Sequence, residues 1–443
     1  MSLSMGVKPF ERIPVVDLPD DYQFRVGPFL AEMYRQHGPI FRARNFGVEV
    51  VYLVGPEANR FVLQSERQRF SHHMGWGEFF GVDQVFGDGL LSMDGAEHDA
   101  HRRLMNPAFT IAYMDRYVPL MSRIIRERIA DWGARGEVDV YDEARKITFD
   151  VAAEALVGLR TGPEVDHFRT IFQQMLMLGM MVNSQAEWET RMAALHAELD
   201  GLIRPKIAER RAHPTDDILG LLASATDADG QPLSDERIIA HANILLVAGH
   251  ETSTSLAAWL LYQLTQEPAV TQRVVEEQLA LVGPTAEPTL DDIKRMKYLD
   301  LVLLEAERFY PPVSNGPRGA VEDFEFAGYH VPAGTYVFYS IAASHLLPAS
   351  FAEPERFDPE RFAAPREEHK HTSYALVGFG GGPRVCIGIN FAKVEIKALV
   401  SQALRRYEFE AVPDQQLVQF YRVTAVPLYG IRLHVRKRGA IAE

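Results

Sequence analysis

From residue 235 to residue 266 the apolar positions recur at helical spacing and close up in the middle into Ile244, Leu245, Leu246 and Val247. That pattern predicts one long helix with a mostly buried centre. Ser234 is the expected N-cap, with Asp235 and Glu236 in the first turn, and Glu267-Pro268 marks the exit. At 1.5 Å per residue the helix would run for roughly 48 Å, enough to cross a large domain. Straight after the apolar centre comes Ala248-Gly249-His250-Glu251-Thr252-Ser253, followed by Thr254 and Ser255. Burial and helix propensity both argue against such a polar, small-residue cluster there. Thr and Ser hydroxyls can bond back to helix carbonyls and bend the axis. For His250 or Ser255 taken singly, a polar helix face is the plainer reading.

Helical patterns fill most of 95–310, among them a helix over 292–310 and, further on, one starting at Ile389 (Phe391, Ala392, Val394, Ile396, Leu399). Residues 40–44 and 48–54 read as a strand pair separated by Gly47, and short strands are expected at 324–326, at 336–339 and in the final segment. Runs of helix with segregated strands give a mainly α fold with a small β-rich region, the α+β class, with β-rich parts near 40–55 and 318–340. No linker, repeat or low-complexity block divides the chain, so residues 1–443 are expected to form a single domain.

Composition narrows the partners. A hydrophobic fraction of 47% with 24% charged residues is ordinary for a soluble protein. The opening Met1-Ser2-Leu3-Ser4-Met5-Gly6-Val7-Lys8 carries no apolar run of the signal-peptide or membrane-anchor kind, so a cytoplasmic protein without an anchor is expected. A net charge of −14 without a basic tail argues against nucleic acid. Arg102 and Arg103, with Lys393, Lys397, Arg405 and Arg406, either form a local basic patch for an acidic electron carrier or are scattered solvated charges.

Cys386 is the chain's one cysteine. It can close no intramolecular disulfide and build no Cys-rich zinc site. A single thiolate can ligate a haem iron. It lies in Gly378-Phe379-Gly380-Gly381-Gly382-Pro383-Arg384-Val385-Cys386-Ile387-Gly388, just before the predicted helix, where glycines let backbone N–H groups approach the sulfur and the helix dipole favours an anion. As a phosphate cradle the loop fails, because Pro383 takes the last glycine position of G-x-G-x-x-G and no Gly-Lys-Ser/Thr follows. His98 and Arg102, in Gly95-Ala96-Glu97-His98-Asp99-Ala100-His101-Arg102-Arg103, are one helical turn apart, a geometry suited to gripping an anion. Glu305 and Arg308 are neighbours on one helix face with Leu301 and Leu304, so the pair is expected to be buried.

The spacing F-x-x-G-x-R-x-C-x-G, met by Phe379, Gly382, Arg384, Cys386 and Gly388, resembles the haem-ligand signature of the cytochrome P-450 superfamily. Ala248-Gly249-x-Glu251-Thr252-Ser253 is similar to that family's oxygen-activation motif, Glu305-x-x-Arg308 to its E-x-x-R, and Phe357-Asp358-Pro359-Glu360-Arg361-Phe362 to the partner segment. Gly95–Arg103, with His98 and Arg102, resembles the family's propionate-contacting helix, and the motifs run in the family's order from residue 95 to residue 388.

The resemblance implies a helix-rich fold with haem b (iron protoporphyrin IX) between the 235–266 helix and the helix after Cys386. It makes Cys386 the proximal iron ligand, packs Phe379 near the sulfur, and sets Ala248, Gly249 and Gly388 beside the haem. It gives His98, Arg102, Arg318 and Arg384 to the propionates. Thr252 would hydrogen-bond dioxygen or its water, and Glu251 would relay protons from solvent. Arg361 would complete a structural Glu305–Arg308–Arg361 cluster. The implied activity is a soluble, bacterial-type monooxygenase that inserts one oxygen atom of O2 into a hydrophobic substrate. Electrons would come from an external ferredoxin or flavodoxin type donor with its reductase, since the sequence carries no flavin or iron–sulfur module. A peroxide-driven peroxygenase is the enzymatic rival, which the acid–alcohol pair disfavours, and a haem sensor or gas carrier is the non-catalytic one. Candidate pocket walls are Met74, Trp76, Phe79, Phe80 and Phe86; Met175, Met177, Met180 and Met181; and Val247, Ala248 and Val313.

Overall fold

The computed structural model describes residues 6–226, 230–421 and 423–439. The long helix is Asp235–Gln266, and Ser234 caps it by accepting from the Arg237 N–H through its side chain. Apolar side chains crowd almost its whole circumference, because Val140–Ala152 and Ile389–Arg406 pack against it inside the main core. It is the one described helix long and apolar enough to cross a membrane, and 78% of that apolar window is buried inside the protein.

The β-rich region is a six-stranded sheet in the order Val15–Val16, Ile40–Asn45, Val48–Val54, Tyr336–Ser340, Asn315–Ala320, Phe70–Ser71. Ile40–Asn45 and Val48–Val54 are an antiparallel pair, Ile40 opposite Leu53 and Asn45 opposite Val48. The loop between them is two residues, Phe46 and Gly47, both at positive φ (48° and 80°), as a tight right-twisting hairpin needs. Side chains alternate across this sheet. Val50, Tyr52 and Val54 pack with Phe29, Leu30 and Met33 of the helix Val26–His37, while Val51 and Leu53 face Val62, Leu63 and Tyr339.

The expected helix over 292–310 is two helices, Leu290–Arg295 and Lys297–Phe309. Met296, fully buried, leaves helical geometry with ψ 72°. The break is stabilised from outside: the Glu277 carboxylate accepts from the N–H groups of Tyr298 (2.6 Å) and Leu299 (3.1 Å), capping the second helix. The expected basic patch is reduced. Lys397 is buried on Asp300 (2.6 Å), and Arg405 is buried with its guanidinium on the carbonyls of Gly283 (2.6 Å) and Ala286 (2.9 Å), so neither is a solvated charge.

Candidate active site

The cysteine loop is held by short local bonds: the Gly380 N–H donates to Val377 O (2.8 Å) and the Cys386 N–H to Phe379 O (2.8 Å). Gly382 has φ 59°, and a Cβ there would sit 2.2 Å from the Leu63 carbonyl oxygen, so glycine is required on both counts. From behind, His345 receives the Val377 N–H on Nε2 (3.0 Å) and donates from Nδ1 to Arg308 O (3.2 Å). Burial and the Arg308 charge push this imidazole down to about 3, consistent with a fixed neutral tautomer.

Cys386 lies just before the first turn of Ile389–Arg406, capped by Gly388. Its side chain is exposed only in the sense that it opens on an internal cavity; protein surrounds it on every side. Burial raises the thiol, while the Gly388 N–H and the Arg102 charge favour the thiolate and Glu307 opposes it.

The cavity, about 1,530 Å³ of empty space with its mouth included, has Phe379, Cys386 and Gly388 on one wall. Ile244, Leu245, Ala248, Gly249, Thr252 and Leu256 of the long helix form the facing wall. Thr252 Oγ1 donates to Ala248 O (2.7 Å), the back-bond that lets a hydroxyl sit inside a helix. Glu251 points elsewhere. Its carboxylate meets His250 Nε2 (3.0 Å) and lies 3.8 Å from Arg145 Nε on Val140–Ala152.

One edge of this largely apolar space is cationic. His98, Arg102, Arg318 and Arg384 all reach it. His98 Nδ1 contacts Asp99 (2.9 Å), Arg318 donates to Pro317 O (2.7 Å), and Arg384 donates to Asp94 (3.3 Å). Burial, with Arg318 and Arg102 adding to it against Asp94, pushes Arg384 down to about 10. His72 joins them: both of its ring nitrogens are buried without a hydrogen-bond partner in the structure. Burial, then Arg318 and Arg384, hold it well below the usual imidazole range.

Away from the cavity, Glu305 accepts two bonds from Arg308 (2.7 and 2.8 Å), one from Arg361 (3.1 Å) and one from the Asp358 N–H (2.8 Å). All three charged residues are fully buried or nearly so. The remaining guanidinium donors go to the carbonyls of His345, Ala352, Glu353, Pro354 and Arg356, and Arg361 also pairs with Glu368 (2.8 Å).

A family model for cytochrome P450 matches residues 21–429. The chain belongs to the cytochrome P450 family. A putative cytochrome P450 120 of the cyanobacterium Synechocystis is 33% identical over 88% of this chain and 88% of its own length. A putative cytochrome P450 136 of Mycobacterium tuberculosis is 32% identical, with 94% of this chain and 85% of that protein covered. The cyanobacterial CYP120A1, solved with retinoic acid bound, superposes with a TM-score of 0.86 at 31% identity, covering 96% of this chain and 99% of that one. The protein is therefore a P450-type oxidoreductase, a haem-thiolate monooxygenase in its general class, and its fold is the P450 fold.

The lining fits the cofactor that this P450 family implies. A flat apolar macrocycle suits the space between the cysteine loop and the long helix, and two carboxylates suit the cationic edge, where the neutral His72 ring has one N–H to donate. Of the expected pocket walls, Trp76, Ala248 and Val313 line the cavity. Phe79, Phe80, Phe86, Met177 and Val247 do not. Phe79 and Phe80 pack on Phe338 of the sheet, Phe80 also lining a small adjoining cleft. Phe86 stacks on Phe172 in the core and Val247 packs against that core. Met74 and Met175 are also outside the lining, Met181 is 54% exposed, and the Met180 side chain lies outside the described residues.

Sequence reasoning missed His72, His345, Glu307 and Glu368. Glu307 sits beside the loop, where burial pushes its carboxyl up to about 7 against Lys393 and the Gly378 and Phe379 N–H groups. Its signal was present as a second acid in the Glu305-Ala306-Glu307-Arg308 turn. His72 offered only one of two adjacent histidines, His72-His73, with no motif around them.

Proposed function

We propose that residues 1–443 form a single domain that binds haem b through Cys386 and uses O2 to hydroxylate an extended hydrophobic substrate. Thiolate-ligated haem supplies the dioxygen activation. Cys386 is the ligand in this reading because it is the chain's one thiol and opens on the cavity opposite Thr252; that opposition carries the proposal. Phe379 and Gly388 shape the space around the sulfur. His98, Arg102, Arg318 and Arg384 would hold the propionates, and the small Ala248 and Gly249 would leave room for the macrocycle. Thr252 keeps its oxygen lone pairs toward the cavity while its proton is engaged with Ala248 O, so it can accept a hydrogen bond from a water and hold that water at the wall. Glu251 takes protons from the solvent side and passes them toward Thr252. Glu305, Arg308 and Arg361 hold the framework behind the cysteine loop.

Trp76, Leu91, Ile244, Leu245, Leu256 and Val313 give the cavity an apolar lining, which supports a large, flexible hydrophobe as substrate. The retinoic acid in CYP120A1 is a molecule of that kind. The electron donor in this reading is a ferredoxin or flavodoxin with its reductase, and the location is cytoplasmic. The test is product formed per reducing equivalent in Thr252→Ala, using a substrate found by binding spectra and a competent donor. The proposal expects substrate binding retained and peroxide rising as product falls. Unchanged coupling would remove the reason for preferring O2 over peroxide as oxidant.

A further inference from the structure

His250 occupies the variable position of the Ala248-Gly249-His250-Glu251-Thr252 run, and nothing in the motif assigns it a task. It is 2% exposed, on the side of the long helix that packs against Val140–Ala152. Its ring meets Phe149 edge-on, centroids 5.0 Å apart. Nδ1 lies 2.8 Å from Leu246 O and Nε2 lies 3.0 Å from Glu251 Oε1. A carbonyl oxygen and a carboxylate oxygen only accept. A neutral imidazole has one N–H, so one of the two contacts would set lone pair against lone pair. With Glu251 ionised, as the Arg145 guanidinium 3.8 Å from the same oxygen favours, satisfying both requires a proton on each ring nitrogen.

The surrounding groups favour a charged carboxylate as the partner of that ring. The charged and titratable groups facing the His250–Glu251 pair from Val140–Ala152 are Arg145, 3.8 Å from the same Glu251 oxygen, and Tyr141, over whose ring the Arg145 guanidinium lies at 4.7 Å. Thr148 of that helix donates to the His250 carbonyl (3.3 Å) and shares a bond with Thr254 (2.7 Å), tying the backbone of this segment to its neighbour. The Glu251 carboxylate therefore lies between two cationic side chains, turned away from the cavity that Thr252 lines.

We propose that His250 is a positioning residue for Glu251: as an imidazolium bridging Leu246 O and the Glu251 carboxylate, it holds the acid ionised and withdrawn, so that proton delivery requires this grip to be broken and remade. The inference rests on the reading of Glu251 as the proton relay. His250 touches neither substrate nor cofactor and acts through Glu251 alone. An uncharged replacement should leave the acid free to swing, and the effect of that replacement should vanish once Glu251 can no longer ionise.

Two measurements on the haem-loaded full chain test this. The first is the ring ¹⁵N spectrum of histidine-labelled protein in its diamagnetic ferrous–CO form, with the His250 signals assigned by their loss in His250→Gln. Both nitrogens should be of the protonated type at neutral pH, and Glu251→Gln should shift Nε2. One unprotonated nitrogen, or an Nε2 signal indifferent to Glu251→Gln, overturns the grip. The second is the rate at which the reduced protein reoxidises in air across the range where imidazoles titrate, in wild type, His250→Gln, Glu251→Gln and the double variant. The expected result is a changed pH profile in His250→Gln and a double variant that matches Glu251→Gln, a coupling of at least about threefold, within the range for residues in contact. Additive effects overturn the claim that His250 acts through Glu251. A rate that Glu251→Gln leaves unchanged overturns the relay reading instead, and the ¹⁵N spectrum still decides the grip.

Discussion

Removing Glu305 should be among the most damaging single changes available in this protein. Its carboxylate is fully buried and receives four hydrogen bonds, three of them from the guanidinium groups of Arg308 and Arg361, which are themselves 1% and 0% exposed. In Glu305→Ala, Arg308 keeps only backbone carbonyls as partners, and Arg361 keeps those and Glu368. Losing one member of such a buried cluster costs about 3–5 kcal/mol. Against a typical total of about 5–15 kcal/mol, that multiplies the unfolded fraction by between about 10² and 10⁴. Glu368→Gln provides the internal scale. Arg361 retains Glu305, and the Glu368 side chain is 10% exposed, so the loss should be nearer the ~1.5–3 kcal/mol of a charge-assisted bond. The assay is denaturant unfolding followed by circular dichroism, with haem content read in parallel. A Glu305→Ala midpoint equal to wild type, or a Glu368→Gln loss as large as that of Glu305→Ala, would refute the reasoning.

Glu395, 1% exposed with neither carboxyl oxygen hydrogen-bonded among the described residues, is pushed up to about 8 by burial, so the folded state binds a proton that the unfolded state has released above about 4.5. Native stability is then lost as pH rises through that window, and Glu395→Gln should gain on wild type by a few kcal/mol above pH 8, with the gap closing toward pH 4.5; a pH-independent difference in unfolding midpoints would contradict this. Gly382→Ala should lose haem retention, because the new Cβ meets the Leu63 carbonyl at 2.2 Å in a residue with φ 59°; normal haem content after purification would count against the loop geometry.

How much of this was legible in the sequence depended on whether the deciding partner was local. Ser234 and Pro268 lie beside the ends of the long helix they delimit, so its span could be read directly. The break at Met296 could not be, since the cap comes from Glu277 on another helix and the segment's own periodicity continues across it. Lys397 and Arg405 read as surface charges because Asp300 and the carbonyls of Gly283 and Ala286 are distant in the chain. Apolar pattern reports that a side chain is buried and not which space it borders. That is why Phe86 reads as a pocket wall and stacks instead on Phe172. Spacing sufficed for Glu305 and Arg308, while Glu368 depended on the fold to bring it to Arg361.

The central claim is that Cys386 is the axial thiolate of a haem monooxygenase, and the ferrous–CO difference spectrum tests it most directly. Wild type should give the strongly red-shifted Soret band of thiolate ligation, and Cys386→Ser should lose that band. A wild-type protein that binds haem yet gives the spectrum of a histidine-ligated one would contradict the account.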